Sequence, residues 1–261
     1  IYTLSLHDAL PISTSMARRI GRAISDFSMI QEKDRILVGV SGGKDSNLLL
    51  YSLCGLRARS PVRFEVLAAT VDPLEGKSDL SSIQEFTRSL GVELLIVKYP
   101  LFDILGRSFT PSPCSLCANI RRGLLASTAQ KNGCNVLALG HHRDDAVETV
   151  LLNLFFAGRF KCFHPNMTMD RSGIRVIRPL IYTAESDIRK ESGSLGLPQV
   201  DFACTHSSGS QRAWVKGLLR KISPAAPNLS SNVIHGLRNL RPEEGWLPKP
   251  RGLEEDDREF D

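Results

Sequence analysis

The 261-residue chain has no run approaching the ~18 consecutive apolar residues of a membrane helix. It also lacks an opening charged stretch followed by an apolar segment and a small-residue cleavage site. These two absences predict a cytoplasmic protein with no membrane partner. No internal repeat is present, which excludes solenoids and propellers. Of six cysteines only one pair has Cys-x-x-Cys spacing, so a zinc site built from two such pairs is excluded. What remains is ordinary for a globular protein: 42% hydrophobic residues and 23% charged. At ~150 residues per domain the length fits one to two domains.

The two ends differ from the body. Residues 1–13 carry no clean hydrophobic period and no initiating Met, and residues 1–15 are expected to be a non-native or disordered extension ahead of Met16. The segment 253–261, LEEDDREFD, holds six acidic residues and one Arg, and is expected to be a disordered tail of a C-terminal extension spanning 223–261. Since the whole chain carries +5 and this tail −5, residues 1–252 carry +10. Such a body suits a polyanionic partner, although solubility alone would also account for the charge.

Between these ends, strand and helix patterns alternate. β-Branched or apolar runs at 35–40, 64–72, 92–99 and 135–140 predict strands. Helical patterns follow at 46–59, 80–91, 117–133 and 144–158, the second with apolar residues at 80, 83, 86 and 90 and Gly91 as its stop. Residues 174–182 are expected to add a strand, 184–196 a helix, 210–222 a basic amphipathic helix, and everything from 223 onward loop. The predicted fold class is α/β: a Rossmann-like, mostly parallel sheet with helices on both faces and sites at the carboxyl ends of the strands.

The first strand runs into SGGKDS, residues 41–46. A Walker A loop would need Gly where Val38 stands and a hydroxyl where Asp45 stands, and a dinucleotide fingerprint is broken by Val40 and Ser41. At a strand-to-helix junction, Gly42 and Gly43 let backbone N–H groups approach an anion, Ser41 and Ser46 add hydroxyls, and Lys44 adds a charge. Such a site suits pyrophosphate. A second junction, GHHRDD at 140–145, offers Gly140, His141, His142, Asp144 and Asp145. Two carboxylates at a helix start serve either as capping charge or, beside a triphosphate, as Mg²⁺ ligands. Cys114 and Cys117 sit at i, i+3 at the start of a helix, ahead of Arg121 and Arg122, while Cys204 precedes GSQR. In a cytosolic chain such thiols are metal-binding or catalytic more often than disulfide-forming.

The string Ser-Gly-Gly-Lys-Asp-Ser resembles the motif of PP-loop ATP pyrophosphatases. With PCSLCANIRRG, LGHHRDD, IRPLIY followed by ESDI, and Cys204 before GSQR, the chain from about residue 17 to 222 resembles the tRNA 2-thiocytidine synthetase family. The resemblance implies an adenine nucleotide α-hydrolase-like fold over residues 16–222. It also implies an enzyme that cleaves ATP between its α and β phosphates and thiolates cytidine at position 32 of tRNA. The implied cofactors are ATP, Mg²⁺ and a 4Fe–4S cluster on Cys114, Cys117 and Cys204. Near Cys204 the chain departs from the family pattern, with one extra residue before the Gly and no second Cys, and His206 is an alternative third ligand. The ATP-binding residues implied are Ser41, Gly42, Gly43, Lys44, Asp45, Ser46, Asp72, Gly140, His141 and Asp144. Asp45, Asp145 and Arg121 are the implied catalytic residues, and Arg122, Arg143, Arg212 and Lys216 the implied tRNA contacts. The partners implied are tRNA, a sulfur donor such as a cysteine desulfurase, and a second copy in a homodimer. The alternatives are a 2-thiouridine-type PP-loop enzyme, whose terminal zinc-binding Cys pairs are missing here, and a non-catalytic ATP- and Fe–S-binding regulator.

Overall fold

Short apolar runs punctuated by glycine turns produce a sheet wrapped by helices. The structure is a computed structural model and describes residues 11–107, 113–200 and 210–240. The elements in chain order are α1 (Thr14–Asp26), β1 (Asp34–Gly39), α2 (Lys44–Arg57), β2 (Phe64–Asp72), α3 (Ser81–Ser89), β3 (Leu94–Lys98), α4 (Leu101–Arg107), α5 (Pro113–Lys131), β4 (Val136–Ala138), α6 (Arg143–Ala157), β5 (Asn166–Thr168), β6 (Arg175–Ile177), α7 (Glu185–Ser194), α8 (Gln211–Ile222) and α9 (Leu229–Arg238). Among the described residues the sheet has six strands in the order β3-β2-β1-β4-β6-β5, all neighbours parallel except the antiparallel β5–β6 pair. None of these helices is long and apolar enough to cross a membrane.

The period of two along each strand divides the core. Ile36, Val38, Ala68 and Val136 pack on one face with Leu49, Leu53, Ile83 and Ile188 from α2, α3 and α7. Leu37, Leu67, Ala69, Leu137 and Val176 pack on the other against Leu125, Ala126 and Ala129 of α5. With both faces covered, β1 and β2 read as nearly continuous apolar runs rather than alternating ones, as central parallel strands do.

Five segments differ from the sequence expectation. Helix α1 starts at Thr14, ahead of Met16, because Ser13 caps it through the Met16 N–H and Met16 itself is buried. The strand expected over 174–182 is only Arg175–Ile177. Pro179 has no N–H to give the ladder, and the chain turns with Ile181 N–H donating to Arg178 O. α9 occupies residues expected to be loop, and its C-terminal Arg238 reaches Asp26 at the end of α1. α4 and β5 were not expected at all, being too short to show a period.

The order of the sheet fixes the site. β1 leads to β2 and β3 on one side, whereas β4 returns to the other side of β1. The loops leaving β1 and β4 therefore diverge, opening a crevice at the carboxyl ends where α/β proteins bind ligands.

Candidate active site at the strand switch point

The loop after β1 is built by its two glycines in different ways. Gly42 has φ +81°, and a side chain there would sit 3.0 Å from Val200 Cβ and 3.1 Å from Val200 O. Gly43 has φ −76° and is the N-cap of α2, so only Gly42 uses the left-handed freedom expected of both. Val200 N–H donates to Gly42 O at 3.0 Å. The buried Asn47 amide donates to Gly42 O at 3.2 Å and to Pro198 O at 2.6 Å. Ser41 N–H donates to Ser46 Oγ at 3.1 Å, and Ser46 Oγ–H donates to Gly43 O at 3.0 Å. No side chain caps α2, which leaves its positive end open to an anion.

The loop after β4 packs directly on this turn. A Cβ on Gly140 would lie 3.1 Å from Asp45 C and from Ser46 N, so only glycine lets the two loops meet without displacement. His142 caps α6: its N–H donates to Asp145 Oδ2 at 3.0 Å while its Nδ1 accepts from Asp145 N–H at 3.4 Å. Asp144 Oδ2 accepts from Glu185 N–H at 2.7 Å, joining α6 to the start of α7. Asp45 Oδ1 is buried without a hydrogen bond, with His142 Nε2 3.8 Å away.

A cluster of opposite charges closes this side. Lys44 Nζ lies 3.1 Å from Asp45 Oδ2 and 3.2 Å from Glu185 Oε1, and Lys216 Nζ donates to Glu185 Oε2 at 2.8 Å. Burial pulls the Lys44 ammonium down, but the two carboxylates outweigh it and its pKa is raised. Burial likewise pushes Glu185 up, yet the lysines prevail and bring its carboxyl to about 2.

α5 supplies the facing wall. Arg121, Arg122 and Leu125 line a cleft of about 290 Å³ together with the loops after β1 and β4 and the apolar Ala69 and Val71 of β2. Arg121 Nε and His141 Nδ1 are buried there without partners. Burial, reinforced by the charge of Arg178, pushes the His141 pKa down to about 4 and keeps the ring neutral at pH 7. An apolar floor, orphaned donors and a neutral imidazole beside an open helix N-terminus suit a nucleotide with its phosphates at the Gly42 turn.

The structure thus brings Ser41, Asp45, Ser46, Arg121, Arg122, Gly140 and His141 to one cleft, with Lys44, Asp144 and Asp145 at its edge. Arg143 opens α6 outside the cleft lining, with N–H donating to Thr183 O and a buried, unpartnered Nε. Asp72 is engaged elsewhere: its buried carboxylate accepts from Leu74 N–H, Gly76 N–H and Ser78 Oγ–H, shaping the turn after β2. Arg212 and Lys216, expected at RNA phosphates, make intramolecular ion pairs, Arg212 with Glu148 at 3.0 Å and Lys216 with Glu185, while both side chains keep more than a third of their surface in solvent. Long basic side chains on α8 face two carboxylates brought beneath them by α6 and α7, which no local pattern encodes. Cys114 stands on the first turn of α5 and Cys117 is half-buried one turn later; Cys204 and His206 lie outside the described residues. Among the described residues no group of three His, Cys, Asp or Glu is arranged to hold a metal. Cys117 lies on α5, the helix whose Arg121 and Arg122 line the cleft, and a thiol there is of the type that ligates iron, while Asp45 Oδ1 fits as an oxygen donor.

Two residues in or beside this site escaped sequence reasoning. Glu185 reads as an ordinary first-turn acid of a helix, and only its pairing with Lys44 and Lys216 marks it. Arg178 is 1% exposed, lies 4.8 Å above the Phe163 ring and donates to His164 O at 2.5 Å. Burial and the nearby Arg122 charge bring its pKa down to about 10. The IRPLIY string contained it without indicating a role.

Comparison with known proteins agrees with this geometry. A family model described as the PP-loop domain matches residues 12–219. Two relatives named tRNA-cytidine(32) 2-sulfurtransferase are similar over most of both chains. The protein of Pelobacter propionicus is 39% identical, covering 89% of this chain and 88% of its own, and that of Geotalea uraniireducens is 40% identical, covering 88% and 92%. Among solved structures, the U34-tRNA thiolase NcsA of Methanococcus maripaludis, determined with its [4Fe-4S] cluster, superposes with a TM-score of 0.71 at 24% identity, covering 87% of this chain and 79% of its own. At that identity the likeness speaks for the fold.

Proposed function

The chain belongs to the PP-loop family and, within it, to the tRNA-cytidine(32) 2-sulfurtransferases, and from that premise we propose how its residues carry out ATP-dependent thiolation of cytidine in tRNA. The observation that carries the reading is the contact of Gly140 with the first turn of α2, which joins the SGGKDS and GHHRDD loops into one phosphate-facing cleft beside the cysteine-bearing helix.

ATP enters with its phosphates at the Gly42 turn, where backbone N–H groups, the Ser41 and Ser46 hydroxyls and Lys44 receive them. Asp45, with one oxygen free of hydrogen bonds, would be the ligand for Mg²⁺, with Asp144 and Asp145 of α6 nearby, and the ion would neutralise phosphate charge. Cytosine O2 attacks the α-phosphorus, the O2–P bond forms, the bond to the bridging oxygen breaks, and pyrophosphate leaves. Arg121 faces the charge that develops on the phosphorus oxygens. Sulfur at the sulfide level then adds to C2 and the C2–O bond breaks with AMP as leaving group, so no net oxidation is required. A 4Fe–4S cluster held by Cys114, Cys117 and Cys204 would supply an iron free of protein ligands for sulfur binding.

Arg122 and Arg143 are the cations we assign to the tRNA backbone, while Arg212 and Lys216 hold Glu148 and Glu185 in place. Residues 16–222 form the catalytic unit, which works in the cytoplasm as a homodimer and takes sulfur from a donor such as a cysteine desulfurase.

The test is nucleoside mass spectrometry on tRNA incubated anaerobically with the protein, ATP, Mg²⁺ and sulfide. The expected product is a cytidine heavier by the difference between sulfur and oxygen, absent with Cys114→Ser and with Asp45→Ala. Unmodified cytidine from protein that binds ATP and holds iron would refute the reading and favour an ATP- and Fe–S-binding regulator.

A further inference from the structure

α6 begins at the active site and ends in an exposed aromatic surface. Phe155 is 50% exposed, Phe156 48% and Trp214 of α8 56%, although these three are large apolar side chains in mutual contact. Trp214 meets Phe155 at 6.1 Å and 81°, and Phe156 at 5.8 Å and 76°. Edge-on packing of this kind spreads the rings instead of stacking them on one another, so each keeps about half its surface in water. Gly158, in the left-handed conformation, ends the helix, and Arg159 and Lys161 just beyond it are both exposed.

The chemistry around the rings is one-sided. Residues 149–169 contain no Asp or Glu, and neither do residues 202–242; together the two stretches carry eight Lys and Arg. Arg212 and Lys216 pair with Glu148 and Glu185, Arg238 pairs with Asp26, and Arg241 lies outside the described residues; Arg159 and Lys161, a few residues past Phe156, and Arg220 and Lys221, at the end of the helix that carries Trp214, are exposed. A second copy of the chain is a poor occupant. A two-fold contact sets the same surface against itself, here two copies of the same basic segments. A flexible polyanion with flat apolar faces satisfies both halves of the surface: rings for bases, cations for phosphates.

We propose that Phe155, Phe156 and Trp214 form a stacking platform for unpaired bases of an RNA loop whose neighbouring nucleotide enters the switch-point cleft. The inference rests on the tRNA-thiolating reading and adds to it a second surface. Phe155 and Phe156 lie ten and eleven residues past Asp145 on one helix, about 15–17 Å at ~1.5 Å per residue. A few unpaired nucleotides cross that distance, so a loop delivering one base to the cleft can rest others on the rings. Unpaired loop bases are available for this; bases in a duplex are not.

The chain has two tryptophans, so a Trp246→Phe variant makes Trp214 the only indole. Titration of that variant with an anticodon stem-loop RNA is expected to quench its fluorescence saturably, and a blunt duplex of equal phosphate count is not. Trp214→Leu and Phe156→Leu, both on exposed positions, are each expected to weaken stem-loop binding by roughly tenfold. Neither is expected to alter ATP affinity or the dependence of RNA binding on salt. Absence of quenching together with unchanged affinity in both variants would overturn the proposal. So would a concentration-dependent self-association abolished by Trp214→Leu, or quenching by anionic lipid vesicles in place of RNA. Failure of the underlying reading is separable: quenching by the stem-loop without thiolation keeps the RNA surface and removes the reaction, whereas undiminished thiolation by Trp214→Leu keeps the reaction and removes the platform.

Discussion

Replacing Gly140 by Ala adds one methyl group where β4 passes over the first turn of α2. Its Cβ would stand 3.1 Å from Asp45 C, 3.1 Å from Ser46 N and 3.2 Å from Asp45 O. All three neighbours are backbone atoms, so no flexible side chain can move aside. Gly140 is not among the residues with positive φ, and the substitution therefore carries no conformational strain of its own. The cost comes from displacing one loop against the other by a few tenths of an ångström, for which overpacking costs of about 1–3 kcal/mol apply. For a chain of this size each kcal/mol lowers Tm by roughly 2–4 °C, giving a fall of about 2–12 °C. The same displacement moves Asp45 and Ser46 relative to His141, and misplacement of reacting groups by ~1 Å costs about 100-fold. A displacement of a few tenths of an ångström is therefore expected to lower kcat/KM for ATP by roughly three- to tenfold, measured by pyrophosphate release with tRNA present. Gly55→Ala on the same helix is the control: no atom lies within 4 Å of its Cβ, and a helix-interior alanine there is expected to raise Tm slightly. If Gly140→Ala matched wild type in both Tm and kcat/KM, the tight junction between the two loops would be refuted.

Glu185 offers a test through pH. Its carboxyl is held at about 2 against an ordinary value of 4.5, so the stability it contributes is complete above about pH 4.5 and disappears as pH falls through about 2. Tm of wild type measured against Glu185→Gln is expected to show a constant gap above that window and a closing gap within it; a gap independent of pH down to 2 would contradict the ion-pair account. His141, lowered to about 4 by burial and by Arg178, is expected to stay neutral throughout pH 5–8, and an imidazole NMR titration with a midpoint near 6.5 would show that it is not buried as described. Asp34 is 2% exposed and binds the Arg175 guanidinium, Gln31 N–H and the Asn135 amide. Asp34→Ala leaves Arg175 unpaired at the β1 end of the sheet and is expected to cost about 3–5 kcal/mol in urea unfolding, as for other broken buried pairs; a loss below about 1 kcal/mol would place the pair effectively in solvent.

Elements whose information is local could be read from the chain. β1, the Gly42 turn and α2 announce themselves because an apolar run, a glycine pair and a polar N-terminus all lie within twenty residues. The central strands were found for the same reason, since burial on both faces leaves a continuous apolar signal. α1 has apolar residues at 16, 20 and 23 on one face, but it begins inside a segment set aside for its composition. β5 has three residues and owes its pairing to its place at the sheet edge, not to any period of its own, while β6 keeps only three residues of the strand expected over 174–182. At the site, the loop residues were identifiable by type and spacing, whereas Glu185, Arg178 and the internal pairing of Arg212 and Lys216 arise from contacts between distant segments. The Arg212 contact with Glu148 spans 64 positions, and that of Lys216 with Glu185 spans 31. A charged residue on a helix looks the same in sequence whether it meets water or a partner.

The hydrogen bonds to the Gly42 carbonyl have a consequence for synthesis on the ribosome. The turn that receives phosphate is complete by residue 46, yet its backbone is held by Val200 N–H, and the Asn47 amide that steadies it is shared with Pro198 O. The opposite loop arrives only when β4 settles against β1, about a hundred residues after the turn has emerged. A chain halted before residue 198 therefore keeps the local Ser41, Ser46 and Asn47 hydrogen bonds of the glycine motif but lacks the two contacts that fasten it to the rest of the core. Nucleotide affinity should rise only when the last part of the core emerges, so that a truncated product neither competes for ATP nor engages RNA.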